Sequence, residues 1–361
     1  MFTSTSPQVS DSSYLRPAAM RALGRNPRVA VLLNANAKRV TREVKKDLAK
    51  VVPGDDLFFS RSLEEAEDFA HRIIDRRYDV LLAGGGDGTI NHTMNTLIRA
   101  ADRASFGMYR PRLPDLGVLR LGTGNALASA CGAGRPVDDV LRVLNGKAPF
   151  ARPLRLMEER DSGTVFAFGS LGYDAQLLND FVDLNQSVKS KAGRAVSKTL
   201  AGYFYALFTR TLPHDLSAKH ARVRIVSNGR CSMLDPETDE EVPVELGATL
   251  FEGVARSVLL GTTPFYGYKM QIFPFAERRS DRFHLRISTA GIPTLLWNLP
   301  ALWKGTLRCP EIIDFLVEDI HLETTEPMPY QLSGDARGTR TSLDVRLSER
   351  SFRLLDDLPR A

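Results

Sequence analysis

The apolar positions change their spacing near residue 150. Before it, compact apolar runs alternate with stretches of helical period. Residues 28–34 (RVAVLLN) and 78–85 (YDVLLAGG) are continuous apolar runs, the pattern of strands buried on both faces. Between them Leu63, Ala66, Ala70, Ile73 and Ile74 share one helical face, and Ser62 followed by Glu65 forms a capping box at its start. Ile90, Met94, Leu97 and Ile98 predict a second helix. Residues 116–130 (LGVLRLGTGNALASA) repeat the plan of strand, glycine turn and helix. This alternation predicts an α/β domain with a mostly parallel sheet.

Beyond residue 150 short β-prone runs dominate: 164–173, 221–228, 257–264, 268–273 (YKMQIF), 282–288, 314–323 and 342–348. Phe283, Leu285 and Ile287 alternate with polar residues, so these runs predict an antiparallel β-sandwich domain. The polar stretch 227–245 reads as a hairpin excursion, and 190–212 as a helical interruption.

Composition narrows this picture only a little. The 361 residues are 43% hydrophobic and 25% charged, which fits a globular chain of two domains. No apolar run is long enough to span a bilayer; the nearest, 292–303 (IPTLLWNLPALW), carries two prolines. Residues 1–26 are Ser-rich without an apolar segment and read as a disordered tail rather than a secretory signal. Cys131, Cys231 and Cys309 form neither zinc spacing nor a disulfide framework, which points to a reducing, cytoplasmic setting. The six histidines lie at no metal spacing. The net charge of +5 permits an anionic partner without naming one, and no motif points to nucleic acid.

The chemistry begins at the glycines. Gly84, Gly85, Gly86 and Gly88 sit between a strand pattern and a helix pattern, where backbone N–H groups and the helix dipole can hold phosphate. The dinucleotide fingerprint fails, because its third glycine falls at Thr89 for the first turn and at Leu127 for the second. The Gly-Lys-Ser/Thr ending of a P-loop is also absent. What remains is Gly-Gly-Asp-Gly-Thr-x-Asn (residues 85–91), then Leu-Gly-Thr-Gly-Asn-x-x-Ala (residues 121–128).

This pair of motifs resembles the diacylglycerol kinase catalytic-domain family, which includes sphingosine, ceramide and bacterial lipid kinases. The resemblance runs over most of the chain. Residues 32–40 (LLNANAKRV) look like the family's first nucleotide motif, with Asn34 kept, Ala35 for a proline and Lys38 for a glycine. Residues 171–175 (LGYDA) look like its Gly-Phe/Tyr-Asp-Ala element. Residues 273–287 resemble its Pro-x-Ala-x-x-x-Asp-Gly stretch, with Arg282 for the glycine. Residues 330–338 resemble its late Asp-Gly-Glu motif, with Ser333 for the aspartate and Asp335 for the glutamate.

The resemblance implies a nucleotide-binding α/β domain over 27–148, a β-rich substrate domain over 149–340, and a segment 341–361 returning to the first domain. It implies ATP between the domains, with Gly85, Gly86, Asp87, Gly88, Thr89 and Asn91 around the phosphates. Gly122, Thr123 and Asn125 would complete the cleft, and Asn34 and Ser60 would add contacts. An ionised Asp87 beside phosphates calls for a cation, and Mg²⁺ suits a carboxylate, water and phosphate oxygens. Asp87 could instead cap its helix, or take the acceptor's proton. Asp335 matches the family's proton acceptor. Asp281 would belong to a Mg²⁺ site in the second domain, or else to a surface turn. Asp174 would face the acceptor head group.

Residues 188–224 hold eight Lys or Arg and one acid around TLAGYFYALF, a pattern suited to an anionic membrane surface. Residues 293–303 are a second candidate, for lining acyl chains or docking. The expectation is therefore an ATP- and Mg²⁺-dependent lipid kinase, peripheral at a membrane, with room for a homodimer. An enzyme similar to NAD kinase with a soluble acceptor, and a homologue that has lost catalysis, are the alternatives.

Overall fold

The computed structural model describes residues 27–146, 150–187, 202, 205–213 and 220–356. The expected tail 1–26 and most of the basic stretch 188–224 lie outside these residues.

The first third folds as its periodicity predicts. Strands β1 (Val29–Asn34), β2 (Leu57–Ser60), β3 (Val80–Gly85) and β4 (Asp115–Arg120) are all parallel, in the order β4-β3-β1-β2. Helices α1 (Arg42–Ala49), α2 (Leu63–Asp75), α3 (Asp87–Arg103), α4 (Ala126–Ala130) and α5 (Pro136–Leu144) surround them. Alternate strand residues face opposite ways. Ala30, Leu32, Leu81, Ala83, Leu116 and Val118 pack with Ala70, Ile73, Met94 and Leu97 from α2 and α3. Val29, Val31, Leu33, Val80 and Leu82 pack on the other side with Leu48 of α1 and Val140 and Val143 of α5.

The capping box at α2 takes a shifted form. Ser62 accepts from the Glu65 N–H, but the Glu65 carboxylate accepts from the Arg61 N–H rather than that of Ser62. Leu63 also departs from the expected apolar face. It stands in the first turn, 65% exposed, while Ala66, Ala70, Ile73 and Ile74 are buried.

Among the described residues the second region is strand-rich and antiparallel apart from one long helix, a helical stretch over 205–213 with a π-helical turn at Leu207–Thr211, and a helical hairpin. Its strands are β5 (Phe150–Glu159), β6 (Val165–Phe166), β7 (Phe168–Gly172), β8 (Arg222–Ser227), β9 (Cys231–Leu234), β10 (Glu241–Val244), β11 (Thr249–Val254), β12 (Ser257–Gly261), β13 (Phe283–Ser288), β14 (Ile312–Val317), β15 (Asp319–Leu332) and β16 (Asp335–Asp356). Helix α6 (Tyr173–Ser187) follows β7, and α7 (Ile292–Trp297) and α8 (Leu299–Lys304) join β13 to β14. An apolar core gathers Val223 and Ile225 against Val258, Leu260, Phe283, Leu285, Ile287, Phe315 and Tyr330.

The two regions are joined by β16. Its first half pairs with β15, while Leu354 pairs with Leu116 of β4 and its last residues pair with β5. One continuous sheet therefore runs from the parallel strands into the antiparallel ones.

Two further expectations are corrected. Residues 268–273 are not a strand; they form a turn closed by the Gly267–Met270 bridge, with Ile272 and Phe273 buried. On β13 the alternate polar residues are buried as well. His284 and Arg286 both bind Asp314, and Phe273 and Phe275 lie edge-on against the imidazole. Simple alternation missed this because a polar face can be buried when its charges pair.

Candidate active site

Both glycine turns lie at the C-terminal ends of parallel strands, where α/β sheets place their ligand crevices. Gly86 is the N-cap of α3 and Asp87 its first residue, so the cap position has no side chain and the N–H groups of the first turn stay open. A Cβ on Gly85 would fall 2.6 Å from the Thr89 side chain. A Cβ on Gly122 would fall 2.7 Å from the Gly86 Cα and 2.8 Å from the Gly85 carbonyl oxygen. The two turns touch through their backbones at Gly122, and Gly85 is closed by Thr89 of its own turn, so neither position admits a side chain.

Asp87 reaches across to the second turn. Its Oδ1 accepts from the Leu127 N–H at 3.3 Å, and a Cβ on Gly124 would lie 2.9 Å from its Oδ2. Burial pushes its pKa up to about 6, against the pull of backbone N–H groups at Leu127, Ala126 and Asn125. An adjacent cation would reverse that shift.

The remaining residues expected around the nucleotide divide into two groups. Asn34 donates to the Thr89 hydroxyl at 3.0 Å and accepts from the Asn36 N–H at 2.9 Å, which fixes both side chains at the mouth of the turn. Thr123, in the second turn, remains partly exposed. Asn125, Ser60 and Asn91 are turned inward. Asn125 is left-handed (φ 57°, ψ 45°), and its amide clasps Gly122 through an N–H at 2.9 Å and a carbonyl at 2.8 Å. Ser60 gives its hydroxyl to the Leu33 carbonyl. Asn91 is buried in α3.

The β15–β16 hairpin brings in the second carboxylate. Ser333 and Gly334 form a two-residue turn with φ of 50° and 83°, the left-handed geometry that suits a tight hairpin. Ser333 is buried, and its N–H and hydroxyl both go to the Phe168 carbonyl, away from the cleft. Asp335 lies so close to α3 that a Cβ on Gly88 would overlap its carboxylate. Desolvation raises the pKa of Asp335, while Arg337 and His92 pull it down. His92 sits one turn beyond Gly88 on α3, and burial lowers its own pKa.

Asp174 sits at the start of α6 in a buried network. Ser170 and Tyr266 both donate to its Oδ2, the latter at 2.5 Å. Gln331, fully buried, donates from Nε2 to the Ser170 hydroxyl and the Tyr266 hydroxyl, each at 2.9 Å. Its Oε1 accepts from the Gly334 N–H at 2.8 Å. Asp174 is thus tied through Gln331 to the turn that carries Asp335. Burial raises the pKa of Asp174, opposed by these hydrogen bonds.

Sequence reading missed Gln331, Tyr266 and His92. It also missed the turn of Tyr268 and Lys269, both at positive φ, whose Tyr268 N–H donates to the Gly124 carbonyl at 2.8 Å. Asp281 is not brought to this site. Its carboxylate pairs with Arg230 at 2.8 Å and lies 3.9 Å from Arg282, on the exposed side of the second region. Among the described residues no cluster of three metal-ligating side chains occurs.

Known proteins resemble this chain in sequence and in fold. Residues 28–152 match the diacylglycerol kinase catalytic domain. The chain is 39% identical to a diacylglycerol kinase of Bacillus subtilis over 271 residues, 73% of each protein. It is 30% identical to the YegS lipid kinase of Salmonella typhimurium over 301 residues, 80% of this chain and 84% of that one. A diacylglycerol kinase structure from Bacillus anthracis shares the fold, with a TM-score of 0.61 at 17% identity over 92% of this chain and 97% of that one. The chain belongs to the diacylglycerol kinase family and is a lipid kinase, a phosphotransferase with an alcohol group as acceptor.

Proposed function

We propose that the protein transfers the γ-phosphate of ATP, with Mg²⁺, to a hydroxyl of a diacylglycerol-like or sphingoid membrane lipid. The observation that carries this reading is the Asp335 carboxylate packed on Gly88, inside the turn that would hold the phosphates. Phosphate-binding N–H groups, a metal-binding carboxylate and a proton acceptor then lie within one helical turn of each other.

Phosphoryl transfer needs positioning and charge neutralisation. The open N–H groups at the start of α3 would cradle the phosphates, and Asn34 and Thr123 would fix the nucleotide. Asp87 fits a Mg²⁺ site. It is the one acid that either turn itself carries, with Asp335 brought close by the hairpin, and Mg²⁺ commonly takes one or two carboxylates with phosphate and water. The ion would neutralise phosphate charge. Asp335, beside Gly88, would accept the lipid hydroxyl's proton. Asp174 would orient the head group.

Among the described residues no helix is long and apolar enough to cross a membrane. The acceptor would be met at a lipid surface. Incubation of purified protein with γ-labelled Mg²⁺-ATP and vesicles of diacylglycerol, sphingoid or ceramide lipid tests the reading. Label in the extracted lipid is expected; label confined to soluble products with every acceptor defeats it.

A further inference from the structure

We propose that the α7–α8 hairpin is the element that seats this enzyme on a lipid bilayer, with Trp297 entering the interface. The inference rests on the lipid-kinase reading for its occupant, and its geometry is independent of that reading.

Trp297 is 87% exposed at the end of α7. A tryptophan in water forfeits a large burial gain, whereas its amphipathic ring suits the head-group level of a membrane. The surrounding chain has matching chemistry. Residues 289–303 contain no charged side chain, and the chain has no acid between Asp281 and Glu311. Nothing in this stretch repels anionic head groups, and Lys304 follows, exposed, at the end of α8. Pro293 and Pro300 sit in the first turn of each helix, which sharpens the break between them at Asn298.

The hairpin is also wired to the site. One short segment, residues 266–271, touches all three parts: Tyr266 donates to Asp174, the Tyr268 N–H to Gly124 of the second glycine turn, and the Gln271 N–H to the Trp303 carbonyl of α8 at 2.9 Å. A surface held by α7–α8 is therefore adjoined to the expected head-group carboxylate and the nucleotide turn. Another exposed apolar tip among the described residues, Phe106 and Met108, follows the far end of α3, about 25 Å of helix from Asp87. It is placed away from the acceptor and suits docking for catalysis less well.

Trp297 and Trp303 are the only tryptophans in the chain. Trp303→Phe therefore leaves Trp297 as the sole emitter, and Trp297→Phe leaves Trp303. With vesicles of anionic phospholipid, Trp297 emission is expected to move to shorter wavelength and to be quenched by brominated acyl chains. Trp303 should respond less. Trp297→Ser, at an exposed position, should weaken vesicle partitioning about tenfold, the loss expected for one buried aromatic ring. It should leave transfer to a monomeric short-chain acceptor at the wild-type rate. Vesicle binding with Trp297 unmoved, or no vesicle binding at all, overturns the proposal. So does a lipid-free shift that grows with protein concentration, which would mark the hairpin as a contact between copies. Docking through Trp297 without label transfer to lipid would sink the kinase reading and leave the docking surface standing.

Discussion

The proposed nucleotide side and the proposed acceptor side of the site are built by opposite means. The nucleotide side is backbone: two glycine turns in contact, with Asn125 spending its side chain to hold one of them closed. The acceptor side is side chain: Asp174, Ser170, Tyr266 and Gln331 drawn from α6, β7, a loop and β15 into one buried network. The two meet where Asp335 packs on Gly88. Changes on the first side should therefore act through phosphate and metal. Changes on the second should act on the acceptor step and spare nucleotide affinity.

The largest effect is expected at Asp87. Asp87→Asn should lower turnover by about 10³-fold, as loss of a group that neutralises transition-state charge does. The same change should raise stability of the ligand-free protein. The folded carboxyl titrates near pH 6 and the unfolded one near 3.8, so the folded state loses stability as pH rises through that window. Removing the charge returns up to about 3 kcal/mol at neutral pH. Thermal melts from pH 4 to 7 should show wild type and variant diverging upward; parallel melts would break the assignment.

Gly88→Ala comes next. Alanine suits a helix, yet its Cβ would overlap Asp335. A fall in kcat of about 100-fold with ATP affinity retained is expected, the scale of a misplaced catalytic group. Comparable losses in both parameters would show that the two sides are not separable here.

Gln331→Leu tests the network itself. It leaves the Gly334 N–H without its acceptor and removes a donor from two hydroxyls, a cost of about 1–3 kcal/mol in stability. The kcat on lipid should fall roughly tenfold through displacement of Asp335, with Gln331→Glu a partial rescue through its retained acceptor oxygen. The smallest effect is expected at Asn125. Asn125→Ala loses the clasp and pays for left-handed backbone, about 2 kcal/mol together. Asn125→Gly should recover the backbone part, and the KM for ATP should rise for both.

The legibility of the molecule follows the same division. The parallel sheet, its helices and both glycine turns were readable because local patterns encode them: 3.6-residue spacing, apolar runs, and glycines where backbones must touch. The direction of Asn125 was not readable, since a motif names a residue without saying whether its amide faces ligand or turn. Gln331 and Tyr266 carry no local signal; they matter only through partners far away in sequence. Ser333 and Asp335 were placed together by motif, but only the left-handed turn shows that Ser333 faces Phe168 and Asp335 faces Gly88 of α3. The Arg230 partner of Asp281 was not readable either, because it is remote in sequence.

The most direct test is kcat on lipid vesicles measured beside ATP affinity for Asp335→Asn. Loss of a proton acceptor that leaves the phosphate cradle intact predicts a fall in kcat of about 10²–10⁴-fold, with ATP affinity near that of wild type. An unchanged kcat, or a collapse of ATP affinity in step with kcat, would contradict the role assigned to the carboxylate on Gly88.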